Sequence, residues 1–225
     1  MFKIHNISKL VKKEGLKLEN LVSLCFYLAF PLTLLILGTF ISSYVFTGII
    51  NLDINNSVSL PDIITTFSLP MLMFLAVIPV TVKCLLSKIK MKQLGFSSNN
   101  WLFTYAFSSL AALITILSLL LADTNQLEIP IFIIAIHYLF VAVSEEILVR
   151  GIVFYETNKM FTGILNCIIN GIIFAFVYHS NENLYSNLII RVPLGILLSY
   201  IRYRNDSLYP SIAIHWMYDC IITII

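Results

Sequence analysis

Apolar runs about twenty residues long, separated by short polar or charged stretches, make up most of this chain. Cutting it at its charges leaves seven runs: residues 21–46, 63–82, 101–122, 129–150 with an extension beyond 150, 161–179, 184–201 and 208–225. About 20 apolar residues suffice for a helix to cross a bilayer. The pattern therefore predicts an all-α, polytopic transmembrane helix bundle of about seven spans. The first three runs carry no charge, whereas the fourth and the last three hold charges or histidines. Chemistry is to be sought in the second half. The organisation expected is a basic segment at residues 1–20, N-terminal membrane helices at 21–128 and a functional membrane core at 129–225.

Composition excludes a water-soluble enzyme. Of the 225 residues, 59% are hydrophobic and only 12% charged, with a mean hydropathy of +0.91, against roughly 45–50% and about 25% in soluble domains. The net charge of +2 comes from scattered basic residues, so nucleic acid is not an expected partner; the lipid bilayer is. Cys25, Cys84, Cys167 and Cys220 form no C-x-x-C pair and read as apolar fillers.

Charge also orients the chain. Placing Lys3, Lys9, Lys12, Lys13 and Lys17 in the cytoplasm brings Lys83, Lys88, Lys90, Lys92, Arg150, Lys159, Arg202 and Arg204 to the same side. Asp53, Asp62, Asp123, Glu128 and Glu182 fall on the other, with Arg191 the one basic residue nearer to it. The positive-inside rule then predicts a cytoplasmic N-terminus and an external C-terminus. The first residues lack the apolar core of a cleavable signal. Phe2, Ile4, Ile7, Val11 and Leu18 recur at near-helical spacing among the lysines, which fits an amphipathic helix on the inner leaflet or a solvated basic tail.

Ionisable groups inside a span cost about 2.5–3.5 kcal/mol each on insertion scales and mark functional sites. Three clusters qualify: Glu145, Glu146 and Arg150 closing the fourth run; His179 ending the fifth; and His215 with Asp219 in the last. Glu146 and Arg150, four apart, share a helix face and predict an internal ion pair. Glu145 lies about 100° round the helix, which leaves it free to act as a base. His215 and Asp219 are also four apart, a spacing that suits a metal-ligand pair or a histidine oriented by a carboxylate. If the three clusters converge, they supply a base and a polarising group for hydrolysis inside the membrane. Each alone has a plainer reading: an interfacial ion pair, or an interfacial histidine beside residues 180–186. Arg191 either snorkels to the interface, pairs with Glu182, or binds a substrate carboxylate.

These residues resemble the CPBP intramembrane proteases, a family of CAAX prenyl endoproteases and bacteriocin-processing or immunity proteins. The family pattern is E-E-x-x-x-R, then F-x-x-x-H, then H-x-x-x-N or H-x-x-x-D. Here it reads Glu145-Glu146 to Arg150 and Gly151, then His179, then His215 to Asp219, within residues 130–225. The stretch Gly195-Ile196-Leu197-Leu198 and the segment 203–211 also resemble the family. There are two departures. Ala175, not phenylalanine, stands four before His179, flanked by Phe174 and Phe176, at an expected cost in packing rather than chemistry. Position 219 is Asp rather than Asn, and an ionised Asp cannot donate a hydrogen bond to an oxyanion. Asp219 is then protonated, orients His215, or binds a metal.

The resemblance implies a catalytic core at 129–225 of an intramembrane endopeptidase. Glu145 and His179 would activate water, His215 and Asp219 would stabilise the oxyanion, and Glu146 with Arg150 would hold the site in shape. The residues leave metal dependence open: either no cofactor is needed, or, if a metal is present, Glu145, His179, His215 and Asp219 would ligate zinc with an open position for water. Its substrates would be membrane-associated peptides or protein precursors, at the plasma membrane of a bacterium. The alternatives are a non-catalytic immunity or scaffolding member of the same family and a small transporter, against which the lack of a repeated half argues. Depth sets a test of convergence. A turn near Asn158 would put Glu145 about 20 Å and His179 about 30 Å from it along their helices, a mismatch that strong tilt would have to absorb.

Overall fold

The computed structural model describes residues 17–48, 59–97, 100–122 and 130–224. Among them the chain forms seven helices: α1 (Leu18–Thr47), α2 (Leu60–Ser87), α3 (Trp101–Leu121), α4 (Ile131–Met160), α5 (Gly163–Tyr178), α6 (Leu184–Asn205) and α7 (Tyr209–Ile224). This is the all-α bundle read from the apolar runs. The expected amphipathic segment lies almost wholly outside the described residues, as do Asp53, Asp123 and Glu128.

Five helices, α1 to α4 and α6, are long and apolar enough to cross a bilayer. Burial runs opposite to that of a soluble protein. Arg150, Lys83, Glu146 and Glu156 are among the largest fully enclosed side chains, while Trp101, Leu120 and Leu121 face outward. Lipid rewards this arrangement, because charged groups find partners only inside the bundle. Together with the apolar spans, it marks an integral membrane protein.

Proline and π-helical turns shape the long helices. Pro70 and Pro79 lie inside α2, where each lacks the N–H that a helix needs; π-helical stretches at Ile64–Ser68 and Leu72–Val77 accompany them. The N-terminus of α2 is capped by Ser59, whose Oγ accepts from the Asp62 N–H at 3.3 Å. Two further π stretches, Ile147–Val153 in α4 and Phe174–Tyr178 in α5, lie beside the polar clusters.

The core of the second half is the hairpin of α4 and α5 with α6 laid against α5. Polar side chains fasten α5 to α4: Asn170 Nδ2 donates to Thr157 Oγ1 at 2.9 Å, and Asn166 Nδ2 to the Phe154 carbonyl at 3.4 Å. Glycines let α5 and α6 touch backbone to backbone. A Cβ on Gly171 would lie 2.7 Å from the Ile196 nitrogen, and one on Gly195 would lie 2.9 Å from Gly171 Cα. Helix α7 packs across α3 and α4 and is pinned where Trp216 Nε1 donates to the Ala135 carbonyl at 2.9 Å.

Two expectations are corrected by this packing. The α4–α5 turn falls at Phe161–Thr162, not near Asn158, so Glu145 lies 16 residues before Phe161 and His179 lies 17 after Thr162. The two arms differ by one residue, about 1.5 Å of helical rise, and the expected depth mismatch of about 10 Å is largely removed. Lys83, expected just beyond the end of its span on the same side as Lys159, lies inside α2 and is enclosed in the bundle. It pairs with the buried Glu156 of α4, which Lys159 also contacts at 2.9 Å, and its ammonium lies 4.8 Å from the centre of the Tyr27 ring.

Candidate active site

Helix α4 presents two adjacent carboxylates in different directions. Glu146 turns inward and is fully buried, with Oε1 at 2.9 Å from Arg150 Nη1, itself fully buried. Arg150 is held further by the Gly195 carbonyl of α6, which accepts from Nη2 at 3.4 Å, and by the Phe174 ring, whose centre lies 4.2 Å from the guanidinium carbon. The close α5–α6 contact thus brings the Gly195 carbonyl within reach of the arginine.

The same Glu146 oxygen has a second partner. His215 of α7 places Nδ1 at 2.9 Å from Glu146 Oε1. Nδ1–H donating to the carboxylate is the assignment that satisfies both groups, and it leaves Nε2 turned toward Glu145 and Asp219. The expected pairing of His215 with Asp219 is therefore secondary. Asp219 Oδ2 stands 3.5 Å from Nε2, and Glu146 orients the ring from its other side.

Glu145 occupies the place where the clusters meet. Its Oε2 lies 3.7 Å from His179 Nε2 and 3.9 Å from His215 Nε2, and neither it nor His179 Nε2 has a direct hydrogen-bond partner. Both distances exceed hydrogen-bond length. Glu145, His179, His215 and Asp219 line one cavity of about 440 Å³, walled by Tyr138 and Tyr218. Three helices thus bring Glu145, Glu146, Arg150, His179, His215 and Asp219 into one site.

The departure at Ala175 has a physical explanation. The π-helical geometry of Phe174–Tyr178 closes hydrogen bonds across five residues rather than four. The residue brought against His179 is therefore Phe174, five positions back. Its ring meets His179 edge-on at 4.7 Å and His215 at 5.7 Å. Phe174 contacts both imidazoles and covers Arg150.

Sequence reasoning left the role of Arg191 open and missed His137. Arg191 lines the same cavity, with Nη2 at 2.8 Å from Glu182 Oε1 and Nη1 donating to Ser186 Oγ at 2.6 Å. The expected Glu182 pair is present, and it lies at the site. His137, two turns before Glu145 on α4, is buried with Nδ1 at 2.9 Å from Ser68 Oγ of α2. A histidine inside an apolar run was the signal that would have found it. Among the described residues no three His, Cys, Asp or Glu side chains stand in an arrangement that would hold a metal ion.

Glu145, His179 and His215 thus stand together inside the helix bundle, as the motif resemblance leads one to expect. In agreement, residues 125–221 match the family model described as type II CAAX prenyl endopeptidase, Rce1-like. The match contains all six site residues and aligns the second half of the chain with intramembrane CAAX-type endopeptidases, the resemblance read from the motifs. No curated protein and no solved structure matches the chain.

Proposed function

We propose that this protein is an intramembrane endopeptidase that hydrolyses a peptide bond of a membrane-associated peptide or protein precursor. The observation that carries the proposal is Glu145 Oε2, flanked at 3.7 and 3.9 Å by two histidine Nε2 atoms on the wall of a cavity. Spacings of this size suit a water bridging carboxylate and imidazole. Glu145 takes a proton from that water, the oxygen attacks the scissile carbonyl carbon, and the C–O bond forms as negative charge moves onto the carbonyl oxygen. His215, held through Nδ1 by Glu146, presents Nε2 as the donor to this oxyanion when protonated. The intermediate collapses as the C–N bond breaks, with the proton passing from Glu145 or His179 to the leaving amine.

Asp219 acts in this reading through His215. Its Oδ2 lies 3.5 Å from Nε2, so the Asp in place of Asn holds the donor instead of donating itself. The steps are written with the chain's own side chains alone. We place the site in the plasma membrane of a bacterium, with the N-terminus cytoplasmic and the cavity toward the outer side. The asymmetry of the lysine-rich connections supports that orientation.

The test is Glu145→Gln in detergent-purified protein, with peptide cleavage and bound metal measured in the same preparation. Loss of a general base lowers turnover by roughly 10²–10⁴-fold, and thermal stability should stay near wild type because Glu145 takes no part in the Arg150 ion pair. Full activity in the variant would overturn the reading and favour a binding or immunity role. Stoichiometric zinc, with activity lost on chelation, would replace the glutamate-activated water by a metal-bound one.

A further inference from the structure

A second recess, separate from the site of Glu145, lies between α2, α4 and the turn that follows α2. It measures about 460 Å³, and no charged side chain stands on its wall. Ala76, Val80 and Ile147 form a buried floor, while Val77 and Leu85 face outward at its edge. Along α2 the recess runs from Leu72 to Leu85, a rise of about 20 Å. One leaflet of the hydrocarbon core is about 15 Å deep. The recess is thus an apolar groove, open to lipid, that follows a leaflet through most of its depth.

Cations gather at one end of it. Helix α2 stops at Ser87, and Lys88 turns the chain back with φ 52°, a conformation that favours glycine. The 3-10 turn Met91–Leu94 then returns to the groove, where Met91 Sδ lies 3.9 Å from Cys84 Sγ and both side chains line the wall. Lys88, Lys90 and Lys92 are exposed around this turn. Among the described residues no carboxylate pairs with any of the three, and no acidic residue stands between Asp62 and Asp123. An apolar flank and a cationic end match the two parts of a lipid with a negative headgroup.

We propose that this groove binds an anionic phospholipid, with one acyl chain along α2 and the phosphate held by Lys88, Lys90 and Lys92. Charge selects the occupant. Residues 1–17 carry Lys3, Lys9, Lys12, Lys13 and Lys17 against Glu14 alone, so neither that segment nor the same segment of a second copy complements the turn. A zwitterionic lipid offers an equal chain without the net charge. Each lysine near an anionic surface strengthens binding by about fivefold. Ile147 follows Glu146 directly on α4, so the bound chain packs against the helix that carries the candidate active site. The lipid site stands whether or not that active site is a peptidase.

The experiment uses the full chain in dodecyl maltoside. Cys84 is the reporter, because Cys167 and Cys220 are buried and Cys25→Ser removes the remaining exposed thiol. The rate of Cys84 alkylation by N-ethylmaleimide is measured with dioleoyl phosphatidylglycerol or dioleoyl phosphatidylcholine at equal mole fraction, and native mass spectrometry counts the lipid retained. Phosphatidylglycerol should protect Cys84 at about one-tenth of the mole fraction that phosphatidylcholine requires, and added salt should narrow the gap. Combining Lys88→Gln, Lys90→Gln and Lys92→Gln should bring the two lipids level, whereas arginine at all three positions should keep them apart. Thr81→Trp, on the groove wall, should lower retention of both lipids. The lysine variants lie on an exposed turn and decide the matter if Thr81→Trp fails to fold.

Equal protection by the two lipids in the wild type would overturn the proposal, as would a preference that survives the triple glutamine variant. Protection by glycerol phosphate alone would replace the lipid by a simple anion. Protection that needs no lipid and is lost on deleting residues 2–16 would give the groove to the chain's own terminus. Protection that grows with protein concentration alone would give it to a second copy.

Discussion

Glu146 is the group whose loss should be most damaging to the fold, and Glu146→Gln isolates the reason. One oxygen, Oε1, serves both Arg150 Nη1 and His215 Nδ1 at 2.9 Å. All three side chains are almost completely enclosed. Glutamine keeps the volume and removes the charge. Arg150 then keeps its positive charge without its paired carboxylate, beside the Gly195 carbonyl and the face of Phe174. Breaking a buried ion pair by removing one partner costs about 3–5 kcal/mol, because the remaining charge is uncompensated. At about 1.4 kcal/mol per factor of ten, the folded population relative to unfolded falls by roughly two to three and a half powers of ten. Thermal unfolding in detergent, followed by tryptophan fluorescence, reads the loss. The double variant Glu146→Leu with Arg150→Met should recover much of the stability, since an apolar replacement of a buried pair is often neutral. It should not recover cleavage, because His215 has lost the carboxylate that orients it. A Glu146→Gln protein as stable as wild type would refute the argument, showing that Arg150 finds its charge compensation elsewhere.

Other outcomes follow from the same geometry. Gly171→Ala drives a methyl group against the Ile196 backbone of α6; overpacking of this kind costs about 1–3 kcal/mol, visible as a lower unfolding temperature, and cleavage falls as the Gly195 carbonyl moves from Arg150. Phe174→Ala removes the ring that contacts His179, His215 and Arg150, for a loss of about 3–5 kcal/mol; Ala175→Phe on that background should not restore activity, because the π-helical register carries position 175 away from His179. At the Lys83–Glu156 pair, Glu156→Gln leaves Lys83 enclosed without a carboxylate, whereas Lys83→Met leaves Glu156 its contact with Lys159. The first should therefore unfold at the lower temperature.

The seven helices were legible because a bilayer asks one question of every segment, whether it is apolar for about 20 residues, and charges answer it locally. The six polar site residues were legible for the same reason: Glu145, Glu146, Arg150, His179, His215 and Asp219 stand where a span tolerates polar groups only at a cost. Helical periodicity also predicted the Glu146–Arg150 pair, since four residues along one helix are neighbours whatever surrounds them. What lay between helices was not legible. A fixed rise per residue and a turn near Asn158 put Glu145 and His179 at different depths, and three residues in the position of the turn removed most of the conflict. A four-residue register made Ala175 a defect, and a π-helical stretch gave the position to Phe174. His215 took its closest carboxylate from α4, not from its own helix, and Lys83 found Glu156 across the bundle. Sequence by itself determined which residues are apolar enough to span and which charges must be sheltered, because those depend on each side chain and its solvent. Tertiary structure decided which sheltered charges meet, because turn position, helical register and glycine contacts act at a distance along the chain.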